Sequence, residues 1–158
     1  MTNEEKGFIK NVNIDKARNK TTICILLSII SLFTYVIMLA LGDFDFGVIF
    51  EIATLVFIII ARSCMLENDG IRSKRYIVLA MIPIGFLLIY DLLTIATYIS
   101  NVWNFAFLTA DFIFQEGVLI LNIIVLFFIN INLDKANNPE RYEDSLDRFY
   151  ERLDKKDE

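Results

Sequence analysis

Two apolar stretches and the short basic turn between them decide the fold of this chain: GVIFEIATLVFIIIARSCM (residues 47–65), ENDGIRSKR (67–75) and YIVLAMIPIGFLLIYDLLTIATYI (76–99). Each apolar stretch is close to the roughly 20 residues with which a helix crosses a hydrocarbon core about 30 Å thick. A short polar turn between two such stretches predicts an antiparallel helical hairpin.

Two further apolar stretches, 21–41 and 112–132, flank this hairpin. One such stretch alone is compatible with a buried helix of a soluble protein, but four in succession, separated by gaps of sorted charge, argue against that alternative. The first stretch follows 20 polar residues, and it is longer than the roughly 7–15 residues of a signal-peptide core. We therefore read it as a retained helix and predict an all-α fold, a four-helix transmembrane bundle.

The cations of the chain occupy only alternate gaps, apart from Arg62, which lies near the end of the second apolar stretch beside such a gap. The 15 Lys and Arg residues lie in residues 1–20, in 62–75 and in the tail from 133, whereas 42–46 and 100–111 contain none. Because cytoplasmic loops of membrane proteins are enriched in Lys and Arg, this pattern predicts a multi-pass protein of the cell membrane with both termini in the cytoplasm.

The same pattern divides the chain into three parts. Residues 1–20 form a cytoplasmic N-terminal segment, 21–132 the four-helix membrane domain, and 133–158 a cytoplasmic tail. The apolar residues Phe8, Ile9 and Val12 share one helical face, which is compatible with a short interfacial helix. We favour a flexible segment for residues 1–20, because free termini are commonly disordered.

Three acidic residues, Glu51, Asp91 and Glu116, lie in the apolar stretches on the side away from the cations. Counted from the predicted helix ends, they are about 6, 10 and 6 Å deep at 1.5 Å per residue. The sequence thus places them in a similar layer with no Lys or Arg nearby. An unpaired charge in hydrocarbon costs about 2.5–3.5 kcal/mol on the more lenient insertion scale. These carboxyl groups must therefore face the bundle interior or water, share protons or bind a cation.

Two interpretations of this acidic layer remain open. The carboxylates, together with amides such as Gln115 and Asn122, are the hard oxygen ligands that suit a cation. Alternatively, each acid is neutral or hydrogen-bonded to a neighbouring hydroxyl and only holds helices together. The sequence does not identify a metal, and we expect no cofactor.

The tail contains a second amphipathic element. Asn138 followed by Pro139 is a strong helix start, since it combines an N-cap residue with proline at the first helical position. An apolar seam then follows with steps of four and three residues: Tyr142, Leu146, Phe149 and Leu153. We predict a short cytoplasmic helix over about 139–156, with this seam binding a partner. The polar face carries no excess of cations, so a protein surface suits the seam better than the bilayer.

The composition excludes several function classes. The chain contains no His, which removes the commonest general base and metal ligand. It also contains no phosphate-binding loop, CxxC pair or basic nucleic-acid patch. We therefore expect a non-enzymatic membrane subunit (an anchor, sensor or immunity-type protein) that oligomerises and docks a cytoplasmic partner through its C-terminal helix. The alternative is a cation channel or transporter subunit built on the acidic layer.

Overall fold

The structure, a computed structural model, describes residues 3–40, 46–100 and 110–142, without the side chains of 38–39, 94–100, 110–114 and 142. Every described element is helical, and the elements are α1 (Asn3–Ala40), α2 (Gly47–Leu66), α3 (Gly70–Ser100), α4 (Ala110–Asn137) and a short 3₁₀ helix (Pro139–Tyr142). Each of the four α-helices contains a segment long and apolar enough to cross a membrane. The prediction of an all-α protein with four candidate membrane spans is confirmed.

The four helices form a closed ring. Helix α1 packs against α2 and α4, and α3 completes the ring by packing against α2 and α4. Contacts near both ends of α1 and α2 show that these two helices run antiparallel. A residue near the end of α1, Tyr35, meets the first residue of α2, Gly47, whereas Arg62 near the end of α2 reaches back to Thr21.

Every helix buries one stripe whose residues are spaced alternately three and four apart. This 3.5-residue period is that of left-handed, coiled-coil-like packing. The stripe of α1 is Ile14, Ala17, Thr21, Cys24, Ser28, Ser31 and Tyr35; that of α2 is Gly47, Glu51, Thr54, Ile58, Ala61 and Met65. Small residues make up most of the α1 stripe and half of the α2 stripe, as expected for membrane helices that pack closely. Large apolar side chains cover much of the outer surface, which is consistent with contact with lipid.

A Schellman motif and an N-cap make the connection between α2 and α3 very short. Asn68 has a positive φ of 60°, a conformation in which Asn is tolerated better than most residues. The Asn68 amide donates to the Met65 carbonyl at 3.1 Å, and the Asp69 amide donates to the Cys64 carbonyl at 2.9 Å. The Asp69 carboxylate then accepts the Arg72 amide at 3.0 Å and so caps the start of α3.

The N-terminal segment differs from the expected flexible segment, because α1 is continuous from Asn3 and has 38 residues. At 1.5 Å per residue its length is about 57 Å, well beyond a hydrocarbon core of about 30 Å. Its early turns continue the buried stripe, with Ile14 and Ala17 in the core. Packing of this stripe stabilises the helical conformation of the polar segment. The position of the segment at a chain terminus did not suggest this packing.

Polar contacts tie together one end of the bundle, which we call the basic end: the first half of α1, the turn 67–69, the last turns of α4 and the 3₁₀ helix that follows α4. The side-chain Nδ2 of Asn68 donates to Asn11 Oδ1 at 3.0 Å. Lys6 donates to Glu140, and this hydrogen bond and the Lys6 charge hold the pKa of the Glu140 carboxyl below its usual range. The pair therefore persists at neutral pH and is lost only as the pH falls through that lowered pKa.

Candidate functional site

A carboxyl group without a hydrogen-bond partner lies inside the bundle. Glu51 occupies a stripe position one turn into α2, and only 1% of its surface is exposed. Neither carboxyl oxygen makes a hydrogen bond within the part of the chain that the structure describes. Since a buried carboxylate is stable only when it is paired or hydrogen-bonded, Glu51 is the least satisfied polar group in the described core.

A second unsatisfied group lies on another helix and has a neighbour, Ser28, in common with Glu51. Asn122 of α4 is also 1% exposed, and its side-chain Nδ2 donates to Ser28 Oγ of α1 at 2.9 Å. The Asn122 Oδ1 atom is buried and accepts no hydrogen bond from any described group. One turn from Ser28, the Cys24 thiol lies 4.0 Å from the Asn122 backbone carbonyl.

Ser28 links these two groups. Its hydroxyl lies beside the Glu51 carboxyl but makes no hydrogen bond of normal geometry to it. The same hydroxyl accepts from Asn122. Polar side chains from α1, α2 and α4 thus converge, and we call Cys24, Ser28, Glu51 and Asn122 the polar cluster. Each of them is a member of its helix's buried stripe, so the heptad spacing brings them together.

The other two acids form a separate pair. Asp91 of α3 is 8% exposed, and its side chain interacts with that of Glu116 on α4. Glu116 and the adjacent Gln115 are half-buried. A side chain at Gly47 would lie 2.9 Å from Leu87, which places those two residues at one level. Glu51 is one turn beyond that level in one direction and Asp91 one turn in the other, about 12 Å apart along the axis.

The expected single layer of three acids is therefore two groups at different depths. The sequence count measured depth from the ends of α2 and α3, but these ends do not lie at one level: α2 begins at Gly47, level with Leu87, whereas α3 continues beyond Leu87 to Ser100. The described residues contain no group of three or more His, Cys, Asp or Glu side chains arranged to hold a metal ion.

The residues predicted to bind a partner fall mostly outside the described residues. The 3₁₀ helix begins at Pro139, where the sequence predicted a helix start, and it ends at Tyr142. Leu146, Phe149 and Leu153 lie beyond residue 142, outside the described ranges. The seam is therefore still a prediction.

The sequence analysis assigned no role to Ser28 or Arg62. In the structure Arg62 donates to the Arg18 carbonyl at 3.2 Å and to the hydroxyl of Thr21 at 3.3 Å, which joins α2 to α1. The signal for both roles was present in the regular spacing of Thr21, Cys24 and Ser28, but it does not identify the partner helix.

Comparisons of the chain with protein-family models, curated proteins and solved structures give no match. The fold and the site therefore define only a class: a multi-pass helical membrane protein whose bundle encloses unpaired polar groups.

We predict that Asp91→Asn folds and that Asp91→Leu is less stable. The amide keeps the shape of the carboxyl group and can hydrogen-bond to Glu116, whereas leucine leaves Glu116 without this partner. An unsatisfied buried polar group costs about 1–3 kcal/mol. Thermal unfolding of the two variants in the same detergent measures the difference. Equal stability of the two variants would mean that hydrogen bonding of Asp91 does not support the bundle.

Proposed function

We propose that the protein is a non-enzymatic multi-pass subunit of the cell membrane (an anchor, sensor or immunity-type protein) with both termini in the cytoplasm. It forms a homo-oligomer and docks a cytoplasmic partner protein through its C-terminal helix. The observation that carries this proposal is the ordered basic end of the bundle, from which the tail emerges.

The start of the tail is held by contacts with two other helices. Lys74 of α3 binds Asp134 of α4 at 2.5 Å. The Asn137 side chain donates to the Gly70 carbonyl at 3.0 Å, and Glu140 accepts from Lys6 of α1. A tail that leaves the bundle from a fixed point presents its apolar seam in a defined place, which favours docking over a freely moving extension.

The segregation of Lys and Arg supports the orientation of this proposal. The first half of α1, the turn 67–69 and the 3₁₀ helix that follows α4 meet at the basic end. These elements belong to the segments that contain all 15 cations. An anionic inner membrane surface attracts such segments by about 1 kcal/mol per cation.

We expect the double substitution Leu146→Glu and Phe149→Glu to leave membrane insertion intact and to reduce the assembled mass or release the partner. Both side chains lie on the predicted apolar seam, and a buried carboxylate there would lack a cation. The measurement is the mass of the full-length protein in nanodiscs, together with identification of co-purifying proteins.

The matched control is Arg148→Glu on the opposite face of the same predicted helix. It changes the net charge by −2, as the double substitution does, but it leaves the seam intact. The docking role requires that only the seam variant loses mass or partner. Full assembly of the seam variant would show that the tail is only a solvated extension. Any oligomer would then be held together by the membrane helices alone.

A specific observation favours a second candidate, a cation channel or transporter subunit. Glu51 offers two unpartnered oxygens to the interior of the bundle, and Asp91 with Glu116 lies toward the end opposite the basic end. In liposomes, Glu51→Gln and Glu116→Gln would each reduce cation flux if the two groups lie on one path. Flux equal to that of the unchanged protein would remove this candidate.

A further inference from the structure

The polar cluster contains more buried hydrogen-bond acceptors than donors that reach them. Asn122 donates to Ser28 Oγ at 2.9 Å, so the single Ser28 proton is free to point toward the adjacent Glu51 carboxyl. If Glu51 is ionised, the second Glu51 oxygen and the buried Asn122 Oδ1 are both acceptors without a described partner, and the second N–H of Asn122 reaches neither of them. Unpaired buried acceptors are rare and costly.

We propose that Glu51, Ser28 and Asn122 form a buried proton-binding site. A proton on Glu51 converts one carboxyl oxygen into a donor to Asn122 Oδ1, while Asn122 Nδ2 donates to Ser28 Oγ and the Ser28 hydroxyl donates to the other Glu51 oxygen. The three hydrogen bonds close a circuit that joins α2, α4 and α1. Every polar atom of the circuit that lacks a partner in the described residues then has one.

A proton suits this cluster better than a metal ion does. Calcium takes about six to eight oxygen ligands and magnesium requires near-octahedral geometry. The cluster offers two carboxyl oxygens and one amide oxygen, and its hydroxyl oxygen already accepts from Asn122. The site is thus short of ligands for a metal ion, whereas one proton completes it.

No described cation lies near enough to neutralise Glu51 in place of a proton. On its own helix the nearest is Arg62, eleven positions away or about 16 Å, and it is bound to α1. The buried or half-buried titratable groups on the other helices around this level are Cys24 and Tyr35 on α1, Asp91 on α3 and Glu116 on α4. None of these is a cation, and the α3 stripe positions at this depth are apolar, namely Ile84 and Leu87.

Loss of the proton would open the circuit. An ionised Glu51 would face the Asn122 oxygen without a donor between them, so α2 would lose its polar link to α4. The inference concerns the same carboxyl as the second candidate function, but it requires proton binding and not flux. It is also independent of the tail, so failure of the docking proposal would leave it unaffected.

Infrared difference spectroscopy of the full-length protein in nanodiscs tests the site. A neutral carboxyl has a C=O stretching band that an ionised carboxylate lacks. We expect the spectrum of the unchanged protein minus that of Glu51→Gln to contain this band at neutral pH and to lose it as the pH is raised. The Gln variant keeps the circuit, because its amide donates to Asn122 and its carbonyl accepts from Ser28. It is therefore expected to fold.

Two further variants assign the band. Glu116→Gln is the matched control, and the Glu51 band is expected to persist in it. Ser28→Ala removes the donor to the Glu51 carbonyl and is expected to shift the band to higher frequency. Absence of the band at neutral pH would overturn the proposal. Its disappearance on addition of Na⁺ or Ca²⁺ at constant pH would also overturn it and would assign a metal cation instead, and an unshifted band in Ser28→Ala would remove Ser28 from the site.

Discussion

Replacing Gly47 by leucine is expected to destabilise the bundle by about 3 kcal/mol, at the upper end of the usual cost of overpacking a core. A Cβ atom at this position would lie 2.6 Å from the Tyr35 hydroxyl and 2.9 Å from Leu87 Cδ1. Both neighbours are buried, so neither can swing into free space. The substitution therefore forces α1, α2 and α3 apart where the three helices meet.

The matched control for this prediction is Gly85→Leu. Gly85 also lies within a membrane-spanning helix, but a Cβ atom there would have nothing within 4 Å. Removing a helical glycine at such a site stabilises by up to about 1 kcal/mol. Thermal unfolding of both variants in one detergent gives the comparison. Similar unfolding temperatures for the two would show that α2 does not approach α1 as closely as described.

The helical class and the number of spans were predictable because a long apolar run in a membrane protein has one common solution, the helix. The positions of the helix ends were harder to predict from the sequence. Helix α1 extends through polar residues to Asn3, and α4 extends to Asn137. In both extensions the buried stripe continues, through Ile14 and Ala17 in α1 and through Leu133 and Ala136 in α4. Average hydropathy misses such a stripe, although its three- and four-residue spacing is visible in the sequence.

The candidate site was predictable only in part. The sequence singled out Glu51 and Asn122 because polar residues in an apolar run are conspicuous. It could not pair Asn122 with Ser28, since these residues are 94 positions apart and their meeting depends on the register of α4 against α1. It also placed Glu51 level with Asp91, whereas the contact between Gly47 and Leu87 separates them. Depth along one helix is a local property, but the level shared by two helices is a property of their packing.

The largest expected difference is in thiol labelling between cysteines placed on the two sides of the membrane. Asp45→Cys and Asn104→Cys should react with an impermeant thiol reagent applied to intact cells, whereas Lys10→Cys and Lys155→Cys should not. The physical reason is the restriction of all 15 Lys and Arg to alternate gaps, or for Arg62 to a position beside one, which favours their retention in the cytoplasm. The expected result is all-or-none labelling, measured by the mass of the modified protein.

The packing of the bundle makes this test sharper than charge alone would. Contacts of Asn11 with Asn68 and of Lys6 with Glu140 bring the first half of α1, the turn 67–69 and the 3₁₀ helix after α4 to one end. Lys10 and the turn 67–69 must therefore lie on the same side in either orientation.

The variants belong in a background with Cys24→Ser and Cys64→Ser, and permeabilised cells provide the positive control for Lys10→Cys and Lys155→Cys. Labelling of Lys10→Cys and not Asp45→Cys in intact cells would show that the orientation is the reverse of the proposed one. That result would exclude the cytoplasmic docking role. Labelling of Lys10→Cys together with Asp45→Cys is incompatible with a bundle whose ends lie on opposite sides of the membrane, because the basic end and the start of α2 are separated by the full length of that helix.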